Sequence, residues 1–104
     1  MTVRNDSSYA AEKLSAAYDL MATLTVSAEK RLAGALSEVM LLDGHEGQLT
    51  ERGRDLFGQL KHETESSGSF AEIAREMGES QRERVGQLIR ALFHDTLAHY
   101  HGVS

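Results

Sequence analysis

Three of the chain's five histidines, His94, His99 and His101, fall close together beside Asp95. Imidazole and carboxylate groups are transition-metal ligands, so their spacing decides whether they can share an ion. Asp95 and His99 stand at i, i+4 and would share a helix face, enough for two ligands. No third ligand follows at a matching offset. His94 and His101 are two turns apart, about 10 Å along a helix axis, too far for one ion. Histidines in a last helical turn also complement the negative end of the helix dipole. The group is therefore expected to be a solvated cluster, with no metal and no cofactor. His45 and His62 are isolated and expected to be exposed.

The acids give no better case for catalysis. They occur singly and beside bases, as in Glu12-Lys13, Glu29-Lys30-Arg31 and Glu51-Arg52, the pattern of solvated helix faces. No serine stands in a nucleophile-elbow context, and there is no glycine-rich phosphate loop. With no cysteine there is no disulfide, thiol nucleophile or zinc-thiolate site. The expectation is a protein that is not an enzyme, without catalytic residues.

The 104 residues make one domain, 1–104, large enough for a modest core. The formal charge is −5, and it is spread evenly. Residues 1–44 carry 4 basic and 6 acidic groups, residues 45–68 carry 3 and 5, and residues 69–104 carry 4 and 5. No segment offers the broad basic surface on which nucleic-acid affinity rests. A basic protein partner suits this balance. No run of about 18 apolar residues could span a membrane. No lysine-rich polar face suggests a membrane-surface helix. The opening residues lack the apolar run of a signal peptide. A cytoplasmic protein is expected.

Proline is absent, and Ala, Leu, Glu, Arg and Gln favour helix. The reading is all-α, a four-helix bundle-like domain with one long N-terminal helix. Residues 1–6 form a flexible tail. Leu14, Tyr18, Met21, Ala28, Leu32, Leu36 and Val39 hold one stripe in phase as far as Leu42, where Asp43-Gly44 ends it. That predicts one helix of roughly 35 residues, about 50 Å long. A break at Thr23–Ser27, where β-branched residues cluster, is the alternative. Helix two is expected from Thr50 to Glu65, burying Leu49, Leu56, Phe57 and Leu60. Gly53 lies on its apolar face, where close packing would explain it; Gly58 has no evident reason.

Ser69-Phe-Ala-Glu72 and Ser80-Gln-Arg-Glu83 both match the capping box, in which serine and glutamate satisfy each other's N–H groups. They predict a short third helix ending at Gly78 and a fourth from Gln81 to about Tyr100. Residues 69–92 thus spell a short helix, a glycine stop and a long helix. Ile73-Ala74, Met77-Gly78, Ser80, Arg82-Glu83-Arg84-Val85 and the trailing Leu88, Arg90 and Leu92 resemble the helix-turn-helix of bacterial transcription regulators, most closely the promoter-reading region of sigma factors. The resemblance implies a DNA-binding regulator whose second helix enters the major groove. By themselves the same residues spell a structural helix-loop-helix, and that reading is preferred here.

Apolar residues exceed what one stripe needs. Tyr9, Ala16, Leu20 and Leu24 follow one another on a neighbouring face of the first helix, and Leu41 points further round. The last helix is apolar over half its circumference, more than a surface helix requires. Either the first helix is wrapped on two sides, or the surplus is an interface with a second copy or a partner. The latter is the expectation: a small helical regulator, anti-activator-like in sequestering a transcription factor, acting as a homodimer or on a basic partner through Tyr9, Leu20, Leu24 and Leu41.

Overall fold

Ser27 has extended backbone (φ −66°, ψ 158°), and its Oγ accepts a hydrogen bond from the Lys30 N–H at 3.2 Å. That is an N-cap, so a helix starts here and the expected continuous N-terminal helix does not exist. In the computed structural model, which describes residues 3–22, 27–65 and 68–100, α1 runs Val3–Ala22 and α2 runs Ala28–Val39. Residues 23–26 lie outside the described residues. The backbone is already helical at Val3, within the stretch expected to be a tail.

The two helices lie side by side and antiparallel. Lys13 Nζ is 4.0 Å from Glu38 Oε1, and a Cβ added at Gly34 would sit 3.3 Å from Leu20 Cδ1. In one straight helix Lys13 and Glu38 would be about 37 Å apart.

After α2, a 3₁₀ turn (Met40–Leu42) and a second one (Glu46–Gln48) lead to α3, Glu51–Glu63. Thr50 caps α3 by accepting from the Gly53 N–H at 2.9 Å. Leu49, Leu56, Phe57 and Leu60 are buried as their spacing requires. The short α4, Phe70–Glu76, opens on the expected capping box: Ser69 Oγ accepts from Glu72 N–H at 3.2 Å, and Glu72 Oε1 accepts from Ser69 N–H at 2.9 Å.

The second capping box does not form. α5, Glu79–Tyr100, starts before it, since the Arg82 N–H already bonds to the Gly78 carbonyl at 3.0 Å. Ser80 therefore lies inside the first turn and cannot cap it. Extended backbone at Met77 (ψ 141°) redirects the chain, and Glu79 takes the first helical position, where a carboxylate suits the helix dipole. At 22 residues α5 exceeds the 20 of α1, so the longest helix is C-terminal, and the described residues form five α-helices, not four. All the described regular structure is helical.

Helix α5 is the axis of the packing. α1 and α3 lie against it, both antiparallel: Tyr18 packs its ring 4.5 Å from Phe93, and Arg84 pairs with Glu63 at 2.9 Å while Asp95 meets Thr50. α2 packs along α1 and also reaches α5 at Arg82, and α4 packs on α2. The broad apolar face of α5 is thereby divided between two helices, and α1 is wrapped on two sides. Leu14, Leu36, Phe57, Leu60, Ile89 and Leu92 are fully buried at the centre, each contributing roughly 1.5–3 kcal/mol through burial. No described helix is long and apolar enough to cross a membrane.

Candidate functional site

The α1–α2 hairpin has two chemically different ends. At the first, the chain leaves α2 and turns at Gly44, whose φ of +91° suits glycine. Local bonds fix this loop. Glu46 Oε1 accepts from the Gly44 N–H at 2.9 Å, and Gln48 Oε1 accepts from the Ala10 N–H of α1 at 3.0 Å. Lys61 of α3 donates to Asp43 Oδ1 at 3.0 Å and lies 3.9 Å from Glu46 Oε2. The hydrogen bond and charge of Lys61 hold the Asp43 carboxyl below its ordinary range, and Asp43 in turn raises the Lys61 ammonium.

Two of the expected partner-binding residues belong to this end. The Tyr9 ring lies 4.7 Å from that of His45, with Lys13 Nζ 5.5 Å from its centroid, and Tyr9 is half-buried. Leu41, in the 3₁₀ turn, is 46 % exposed, while its neighbour Leu42 is fully buried. It is the exposed large hydrophobic side chain among the described residues. Leu20 is elsewhere: eleven residues along α1, about 16 Å away, it lies half-buried over Gly34. Leu24 lies outside the described residues. The four positions therefore do not form one patch.

At the opposite end, Met21 of α1, Ala28, Arg31 and Leu32 of α2, and Glu79, Arg82, Glu83, Gly86 and Arg90 of α5 line an open cavity of about 350 Å³. Arg82, Gly86 and Arg90 are spaced by four and form one stripe of α5. At Gly86 an added Cβ would meet nothing within 4 Å, so the wall between the two arginines is bare backbone. Arg82 Nη2 donates to the Met77 carbonyl at 3.1 Å and lies 3.9 Å from Glu29 Oε1. Its Nε is buried without a hydrogen-bond partner among the described residues. In the sequence Arg82 and Arg90 stand out only within the helix-turn-helix pattern. The local sign of the cavity is Gly86, midway between them at helical spacing.

Two of the three arginines named in that resemblance are engaged within the fold. Arg84 pairs with Glu63, and Arg82 caps the Met77 carbonyl. α4 packs on α2, whereas the two helices of a helix-turn-helix pack on one another. The histidines also separate. His94 is exposed beside Tyr18 and Phe93, with ring centroids 6.0 and 5.3 Å away, and Asp95 turns to Thr50. His101 lies outside the described residues. No three potential ligands converge among the described residues.

No family model matches this chain, and neither the curated proteins nor the solved structures hold a match to it.

Proposed function

We propose that the protein is a small non-enzymatic helical regulator that acts by binding another protein. The observation that carries this reading is Leu41, an apolar side chain held outward on a loop that hydrogen bonds and ion pairs fix in place. A pre-ordered anchor loses little conformational entropy on docking, which is what a binding hot spot requires. Tyr9, beside His45 of the same loop, offers a second, half-buried contact. The net charge of −5 favours a partner with a basic surface, steering its approach. In this reading the protein is cytoplasmic, forms a homodimer, and sequesters a transcription factor in the manner of an anti-activator.

The test compares the wild-type chain with Leu41→Glu. Both are used for affinity capture from native lysate, and both are weighed by light scattering on a sizing column. The expected result is a basic protein retained by the wild type and lost by the variant at an unchanged melting temperature. A dimer mass that falls to the monomer in the variant would place the second copy on the same anchor. Identical captured sets and identical masses would remove Leu41 as the docking residue.

A further inference from the structure

The cavity at the other end of the hairpin gathers three of the chain's 11 basic side chains, in a protein of net charge −5. Its basic groups come from two helices, Arg31 from α2 and Arg82 with Arg90 from α5. Two carboxylates, Glu79 and Glu83, also line it, and Glu29 stands near Arg82. Yet this carboxylate-rich setting leaves donors unspent. Arg82 Nε has no hydrogen-bond partner among the described residues, though that atom itself is sealed from the cavity. Arg90 pairs with no carboxylate among the described residues. Guanidinium groups are suited to oxyanions, whose oxygens match their forked donors.

The rest of the lining is apolar. Met21, Ala28 and Leu32 offer hydrocarbon surface, and Gly86 offers backbone with open space above it. The volume of about 350 Å³ falls at the small end of ligand sites, which run from about 300 to 1,000 Å³. From these features we infer that the cavity binds a small organic oxyanion, a phosphate ester or carboxylate joined to an apolar body. The head meets the accessible guanidinium nitrogens of the lining arginines, Arg90 foremost, and the body lies over Gly86 against Met21 and Leu32. This inference stands independently of the protein-binding reading.

The ¹⁵N-labelled chain is titrated with phenyl phosphate, with benzoate and with inorganic phosphate at constant ionic strength, following the Arg90 Nε–H and Gly86 amide signals. Saturable shifts with at least one of the organic anions, at lower concentration than with inorganic phosphate, are expected. The tighter of the two identifies the head group, and either one supports the site. Arg82→Gln should weaken binding about tenfold or more, the loss of one charge-assisted hydrogen bond. Gly86→Leu fills the space with a good helix former and should abolish binding while the chain still melts cooperatively. Should Arg82→Gln fail to fold, Arg90→Gln, at an exposed position, carries the same comparison. Shifts that never saturate, or saturable shifts that persist in both an arginine variant and Gly86→Leu, would overturn the inference.

Discussion

Thr50 and Asp95 join α3 to α5 through one hydroxyl group. The Thr50 O–H donates to Asp95 Oδ2, and the same oxygen accepts from the Gly53 N–H at 2.9 Å. The helix cap and the inter-helix contact are thus one network. Thr50→Val removes both and should cost about 1–2 kcal/mol, the usual loss for a missing N-cap. Asp95→Asn keeps the volume and loses the charge. A double-mutant cycle on chemical denaturation should give a coupling of at least about 0.5 kcal/mol. Strict additivity would mean that the cap holds without Asp95.

Gly53 should respond to alanine in the opposite direction from Gly58 and Gly86. At Gly53 a Cβ would sit 3.2 Å from both Asp95 Oδ2 and Leu49 Cβ, and 3.3 Å from Thr50 Oγ1. Gly53→Ala therefore presses on the network just described and should lower stability. At Gly58 and Gly86 a Cβ meets nothing within 4 Å. Alanine there keeps the helix and restricts the unfolded chain, so each should add up to about 1 kcal/mol. Thermal melts of the three single variants decide it.

These contrasts show which features of the sequence were informative. The α3 stripe and the Ser69–Glu72 box were legible because each is a local pattern with one physical meaning. The stripe from Leu14 to Val39 misled because α1 and α2 both bury a helical face. Phase kept across Thr23–Ser27 does not require a continuous helix, and the Ser27 cap on Lys30 was the local sign of a restart. Ser80-x-x-Glu83 misled because Gly78 had already begun α5 two residues earlier. The arginine cavity was hidden for another reason. It brings Arg31 beside Arg82 and Arg90 across some fifty residues, and no local spacing encodes that approach.

Leu20 and Leu41 were read as the same kind of residue, and the fold separates them. Leu20 lies half-buried over Gly34, where glycine permits the two helices to approach. Leu20→Glu puts a charge at that contact and should cost about 2 kcal/mol. Leu41→Glu changes an exposed position and should stay within about 0.5 kcal/mol of wild type. Urea midpoints at unchanged slope give the comparison. A large loss at Leu41 would mean that its loop, not a partner, depends on it.

Acid should weaken two exposed contacts in a defined window. The Ser69 backbone N–H and hydroxyl, with Arg75 adding charge, hold the Glu72 carboxyl below its ordinary range, as Lys61 does for Asp43. A carboxyl depressed in the folded state binds protons less readily than in the unfolded chain. Its contribution is complete above the ordinary carboxylate range, about pH 4. It shrinks as pH falls through that range and is gone below the folded-state value. Melting temperature should therefore drop on acidification, and Glu72→Gln with Asp43→Asn should flatten that limb. The raised Lys61 acts in the reverse sense, its contribution lost as pH rises through its folded-state value. Added salt should reduce the Asp43–Lys61 part, because both groups are exposed.

Thr96 carries the sharpest prediction about the core. Its side chain is 1 % exposed, and its Oγ1 makes no hydrogen bond to any of the described residues. A hydroxyl taken from water without a partner costs about 1–3 kcal/mol. Valine has nearly the same shape and replaces that oxygen with a methyl group. The β-branch stays, so helix propensity changes little. Thr96→Val should therefore stabilise the fold by about 1 kcal/mol, raising the melting temperature by roughly 4 °C or more for a chain of this size. Thr96→Ser keeps the hydroxyl and loses a methyl group, so it should destabilise. A loss of stability in Thr96→Val would show instead that a buried water satisfies the hydroxyl, and an ordered water at that position would then be the structural finding to seek.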